Sequence, residues 1–234
     1  MIDYLVNHLM LPILTFFFTL TGSYGWAIVF LTLVIKAALF PLTLTQFRSM
    51  MAMQKIQPRL KELQERYKGK PEELNKRVME LYSEHKVNPL GGCLPLLVQL
   101  PFLFALYAAL IGDTFNKMLK ASNPGWYFIP DLARQGVYSA NAVHWDILIM
   151  VVVFGLTTFW SQKQMTGDDP MQKQMLYTMP IMITATFVIF PIPAGVLLYI
   201  VISNFVTIAQ NLWMKRGQDQ PPANPAPPAA GTKS

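Results

Sequence analysis

Charge is what this chain has least of. Only 14% of its 234 residues are Asp, Glu, Lys or Arg, where an average soluble domain carries about a quarter, so a solvated globular surface is not expected and a membrane class is. Cysteine is nearly absent. Cys93 stands alone, which excludes an intrachain disulfide and a cysteine-rich metal site. His8, His85 and His144 are far apart in the sequence, so no metal cluster and no other cofactor is expected. No glycine-rich phosphate loop and no nucleophile elbow occurs. Glu72-Glu73-Leu74-Asn75-Lys76-Arg77 matches a string found in some intramembrane proteases, but that motif must lie inside the bilayer with a histidine partner, and here it opens a charged, exposed helix. An enzyme is not expected. No Lys or Arg precedes Lys36, so neither a secretory signal, which carries a basic region, nor a transit-like stretch is expected. The net charge of +6 does not indicate nucleic-acid specificity, because the basic residues lie between hydrophobic segments rather than among exposed aromatics.

Apolar sequence is abundant, at 53% of the chain, and Lys36 interrupts it. The residue sits within Gly25 to Pro41, a stretch that otherwise carries no charge. A charge at the centre of a span costs about 2.5 to 3.5 kcal/mol on insertion scales. With about ten residues, or roughly 15 Å, to the nearer end of the span, the side chain cannot snorkel to water unaided. Lys36 is therefore expected to face a polar or water-filled interior. Thr32 and Thr43, four residues before it and seven after, extend its helix face, although a single threonine more often bonds back to its own helix.

The apolar runs divide the chain. Residues 1–22, interrupted by Asp3, Asn7, His8 and Pro12, are expected to form an amphipathic helix in the outer interface. Residues 23–47 make a first span loosened by Pro41. From 48 to 90 the chain changes character: ten Lys and Arg stand among six Glu, while Met50, Met53, Ile56, Leu60, Leu63 and Tyr67 recur at helical spacing. Gly69-Lys70-Pro71 breaks that helix, and Pro71 with Glu72 and Glu73 starts another. A charged helical hairpin results. Met50, Met51 and Met53 are its candidate adaptable contacts. Spans follow at 91–112, 143–162, 174–190 and 194–213, with an aromatic loop at 113–142, a short loop at 163–173 and a Pro- and Ala-rich tail at 214–234 expected to be disordered. The expected fold is an all-α integral membrane protein with five transmembrane helices. The hairpin, the short loop and the tail hold fifteen Lys and Arg, against three in the 113–142 loop. The N-terminus is therefore expected outside and the C-terminus in the cytoplasm.

Several runs carry a resemblance. Val34-Ile35-Lys36 through Pro41-Leu42-Thr43, Gln57-Pro58, Asn88-Pro89-Leu90-Gly91-Gly92-Cys93 through Gln99-Leu100-Pro101, Asp169-Pro170-Met171-Gln172, and Pro193-Ala194-Gly195 through Tyr199 with Ser203-Asn204 resemble the YidC family of membrane protein insertases over roughly residues 24–213. The resemblance implies five helices enclosing a hydrophilic groove open to the cytoplasm and lipid, in a bacterial inner membrane. It makes Lys36 the groove's basic residue, usually arginine in the family, and suggests Thr32, Gln99, Gln162 and Tyr199 as lining or binding groups. Lysine keeps the charge but not the planar fork of arginine. The implied partners are nascent membrane proteins and the lipid bilayer, with the ribosome and the general secretion translocon as further candidates. No large extracytoplasmic domain like that of the long forms is expected before the first span, and the few basic residues of the tail weaken a ribosome-binding arm. A second reading, a small cation- or proton-coupled transporter with Lys36 as relay, lacks the internal repeats and multiple intramembrane charges usual there.

Overall fold

The apolar N-terminal stretch is helical almost from its start. In the computed structural model, which describes residues 2–85, 94–139, 142–166 and 170–218, it forms α1 (Ile2–Leu5), a π-helical turn (Val6–Met10) and α2 (Leu11–Thr21). Asn88 to Cys93, the Asp168-Asp169 pair and the tail beyond 218 lie outside the described residues. Gly22, at φ 69°, closes α2 by donating its N–H to the Phe18 carbonyl at 2.7 Å, the left-handed cap that glycine adopts without a Cβ penalty. The chain reverses there into α3 (Tyr24–Ala38). Phe17 stacks on Phe30 at 5.1 Å and Phe18 on Tyr24 at 4.1 Å, while Met10 and Leu14 are buried in the main core.

Pro41 then reshapes the first expected span. Without an N–H it cannot donate to the carbonyl four residues back, and its fixed φ suits the first turn of a helix. Accordingly α3 ends at Leu39, and α4 (Phe40–Arg66) starts with Pro41 in its first turn, bent by 61° from α3. The sequence expectation placed one span at 23–47 and the hairpin from 48. The helix boundary instead falls at Leu39, and Arg48 lies inside a continuous 27-residue helix. Charge onset marks a change of surroundings, not a helix end.

The hairpin forms as expected. α5 (Pro71–Glu84) folds against α4, burying Ile56, Leu60 and Leu81 with Met53, Leu63, Val78 and Tyr82 around them. Each fully buried aliphatic of this kind contributes about 1.5 to 3 kcal/mol, enough to hold two helices whose other faces are charged.

Next come α6 (Leu94–Ile111) and a short amphipathic α7 (Asp113–Lys120), bent from it by 57° at Gly112. The latter stands where only loop was expected. Phe115 and Leu119, four apart on one face, are buried, with Asp113 in the first turn and Lys117 and Lys120 in the last. After a two-stranded ribbon, β1 (Tyr138–Ser139) with β2 (Ala142–Val143), come α8 (Trp145–Met165), α9 (Pro170–Ile189) and α10 (Ala194–Gln218). The described residues are thus almost wholly α-helical.

Side-chain contacts fix the helix directions. Along α10, Gly195 meets Ile28, Thr207 meets Lys36 and Trp213 meets Phe40, so α3 and α10 run parallel. Asn204 meets Thr157 and Thr158, and Lys215 meets Gln164, so α8 is parallel to α10 too. Gly195 meets Leu110 and Tyr199 meets Gln99, which makes α6 antiparallel. Gly155 faces Thr184, and Phe159 faces Tyr177, so α9 runs against α8. Successive helices alternate. By length and composition, α8 and α10 are each apolar enough to cross a membrane, and the α3–α4 and α6–α7 pairs pass if each is one bent span. α9 has the length at 20 residues, but Gln172, Lys173 and Gln174 in its opening turn lower its hydropathy.

Candidate functional site: a polar layer between α3, α8 and α10

Lys36 lies in the last turn of α3, where the break at Leu39 has made a helix C-terminus. Carbonyls at such an end carry partial negative charge and favour a cation. A straight helix through residue 46 would have placed Lys36 mid-helix without that field. Its Nζ, part-buried, donates to Thr207 Oγ1 on α10 at 3.0 Å, and Thr207 Oγ1 donates in turn to the Ser203 carbonyl at 2.8 Å. Among the described residues the ion pairs are Lys70–Glu73, Arg77–Glu80 and Arg134–Asp146. None of these carboxylates reaches Lys36.

One turn before Thr207, Asn204 Nδ2 donates to Thr158 Oγ1 at 2.8 Å and to Thr157 Oγ1 at 3.2 Å on α8. α10 therefore holds α8 by one polar side chain and α3 by the next, and the polar layer spans three helices. Hydrogen bonds of this sort stabilise apolar helix pairs by roughly 0.6 to 2 kcal/mol each.

The other expected site residues fall elsewhere. Thr32 is fully buried, its hydroxyl donating to the Ile28 carbonyl at 2.7 Å. That is the ordinary threonine arrangement, and it leaves the residue no open face. Gln99 Nε2 donates to the Tyr199 hydroxyl, so these two meet, but Tyr199 is only 1% exposed and lies eight residues before Thr207, roughly 12 Å along α10. They form a separate layer nearer the end where α10 begins. Gln162 is half-buried on α8, one turn beyond the threonines that hold Asn204, and among the described residues no hydrogen bond joins it to Lys36. On the hairpin, Met53 packs on the small core while Met50 and Met51 are half-buried on α4. Sequence reasoning missed Thr207. Its signal was a polar trio, Ser203, Asn204 and Thr207, at helical spacing within an apolar run.

The end of the bundle where α10 begins is sealed by the 124–137 loop. The first N–H groups of α10 have no partners in their own helix. The loop supplies them: Ala194 N–H donates to the Arg134 carbonyl at 2.9 Å and Gly195 N–H to the Leu132 carbonyl at 2.8 Å, while Gly136 N–H donates to the Ile192 carbonyl at 3.3 Å. Ile129, Leu132 and Val137 are buried beneath. A Cβ at position 195 would stand 2.9 Å from Leu110, 3.1 Å from Ile28 and 3.3 Å from the Leu132 carbonyl oxygen, so glycine lets three segments meet there. Arg134 also reaches Asp146, in the first turn of α8, at 3.6 Å.

Comparison with known proteins places this arrangement. A family model described as 60Kd inner membrane protein matches residues 16–221. A protein of Pelobacter propionicus called membrane protein insertase YidC is 41% identical over 206 residues, covering 87% of this chain and 37% of that protein. Its namesake in Geobacter sulfurreducens is 40% identical over 204 residues, covering 87% and 36%. A crystal structure of an active YidC insertase, with its first transmembrane domain resolved, superposes with a TM-score of 0.71 at 25% identity, covering 87% of this chain and 45% of that one. The chain thus spans little more than a third of the length of these curated relatives.

Proposed function

We propose, from the premise that this chain belongs to the 60Kd inner membrane protein family, that it is a membrane protein insertase whose Lys36 attracts acidic segments of substrate proteins as they cross the membrane. The observation that carries the reading is the placement of Lys36: a cation without a carboxylate among the described residues, at a helix end, held by Thr207 in a polar layer between apolar helices.

The physics of the reading is simple. Moving a polar segment through hydrocarbon is slow because each charge and each unpaired peptide group must be desolvated. A hydrated groove reaching from the cytoplasmic side as far as Lys36 shortens the apolar path, and the ammonium partners a passing carboxylate. The substrate's own apolar span then partitions into lipid, so no nucleotide is needed. Five spans are part of this proposal, with the bent α3–α4 and α6–α7 pairs counted as one each, and the alternating helix directions support that number. So do the positive charges of the hairpin, which suit a cytoplasmic position. The N-terminal helix lies at the outer interface, and the 124–137 loop closes the outer side. Nascent membrane proteins are the proposed substrates, with Gln162 lining the groove's polar wall and Thr32 and the Gln99–Tyr199 pair behind it. The hairpin, with Met50, Met51 and Met53, faces the substrate or the ribosome and secretion translocon.

Reconstitution tests this directly. A charge-assisted hydrogen bond is worth about 1.5 to 3 kcal/mol, so Lys36→Ala should slow insertion of a single-span substrate with an acidic outer segment by roughly ten- to a hundredfold. Lys36→Arg should retain it. Equal activity of the two variants in proteoliposomes would sink the electrostatic role. Solute flux without insertion would favour the transporter.

A further inference from the structure

We propose that Thr207 is a positioning residue that fixes the Lys36 ammonium. The inference rests on the role of Lys36 proposed above but concerns a different residue, on a helix that joins α3 only through tertiary contact. A lysine ammonium is a point charge on a four-carbon stem with several rotatable bonds, and left alone it samples many positions. An arginine fork is planar and partly oriented by its own geometry. A site built on lysine therefore needs an external acceptor to aim the charge.

Thr207 has the chemistry for that. A hydroxyl has one donor and two acceptor lone pairs. Its proton is committed to the Ser203 carbonyl at 2.8 Å, so the lone pairs are what it presents, and Lys36 Nζ meets them at 3.0 Å. The bond back to its own helix fixes the side-chain rotamer as well. An ammonium has three donors. One goes to Thr207, and two remain for an incoming carboxylate. Because the acceptor is neutral, it holds the charge without neutralising it, as a carboxylate at the same place would. The neighbouring turn adds rigidity: Asn204 ties α10 to Thr157 and Thr158 of α8, so the helix that carries the acceptor is itself held in place.

The test combines Thr207→Val, which keeps the shape and removes the acceptor, with Thr207→Ser and Lys36→Met. Thr207→Val should slow insertion of the acidic substrate by about ten- to a hundredfold, the worth of one hydrogen bond to a charged group, and Thr207→Ser should restore most of the rate. In a Lys36→Met background Thr207→Val should change nothing further. A second readout is independent of insertion: modification of Lys36 by a small amine-reactive reagent, followed by mass spectrometry, should rise several-fold in Thr207→Val and return in Thr207→Ser. A full insertion rate in Thr207→Val when Lys36→Met is impaired overturns the positioning role alone. So does an equal loss from Thr207→Val in both backgrounds, which would mark a purely structural threonine. If Lys36→Met leaves insertion intact, the proposed function fails, and the modification rate then decides about Thr207: unchanged reactivity overturns its role.

Discussion

Gly25→Ala is the substitution whose cost is most directly readable from the packing. A Cβ at residue 25 would lie 2.1 Å from Cγ, 2.3 Å from Cδ1 and 2.6 Å from Cβ of Trp126, where ordinary contacts begin at 3.4 Å. The indole would have to retreat by more than an ångström, and because its own Cβ is among the clashing atoms, a rotamer change alone does not clear it. The backbone at Trp126 is held by reciprocal bonds with Ile129 at 2.8 and 2.9 Å, and the ring is bordered by Trp26 at 5.7 Å and Tyr127 at 4.8 Å. Overpacking of this kind costs up to about 3 kcal/mol. Replacing a helical glycine by alanine returns roughly 1 kcal/mol of helix propensity, leaving a net loss of about 2 kcal/mol. For a protein of this length that lowers Tm by about 4 to 8 °C, measured by thermal unfolding in detergent. The near-ultraviolet circular dichroism of the Trp26–Trp126 pair should weaken in the same variant. Gly22→Ala is the control: it has open space around it but a φ of 69°, so it should cost about 1 kcal/mol with the tryptophan signal intact. A Gly25→Ala protein as stable as the parent, with unchanged tryptophan dichroism, would refute the packing at this end of α3.

Two further outcomes follow from the polar layer and the bend. Asn204→Leu removes both bonds to α8, at about 0.6 to 2 kcal/mol each; it should lower Tm by several degrees, and an unchanged Tm would mean that the α8–α10 seam is held by apolar packing alone. Pro41→Ala restores the missing N–H and should straighten the 61° bend between α3 and α4. Spin labels on α3 and on the hairpin should then report a longer separation, with slower insertion as Lys36 loses its helix-end field, whereas an unchanged distance would show that tertiary packing rather than Pro41 sets the bend.

Much of the architecture was legible because apolar runs, proline and charge act locally. The hairpin could be read from Gly69-Lys70-Pro71 and the apolar spacing on either side, and the last helix from its apolar run after Pro193. The helix break near Leu39 comes beside Pro41, where the sequence already pointed to a loosened first span, while Arg48 marks a change of surroundings inside α4 rather than a helix end. α7 went unseen because its eight residues offer only Phe115, Met118 and Leu119 as a pattern, inside a stretch dominated by turn-forming residues. Among the candidate site residues, Lys36 stood out by its cost, and the Gln99 and Tyr199 contact was implied only as two members of one set. Thr32 looked like a groove residue because it shares a helix face with Lys36, but it is enclosed by neighbouring helices that sequence spacing does not place.

The sequence by itself determined that this is a helical membrane chain, where its apolar runs lie, that its charged hairpin stands apart from them, and that Lys36 is expensive enough to need a reason. Those properties depend on residues within a turn or two of each other, or on composition alone. Only the tertiary structure decided what Lys36 touches. Its partner Thr207 is 171 positions away, and a hydroxyl in an apolar helix gives no sign of which neighbour it serves until helix directions and levels are set. The tie from Asn204 to α8 and the sealing of α10 by loop carbonyls have the same origin: each joins groups distant in the chain, and packing brings them within reach.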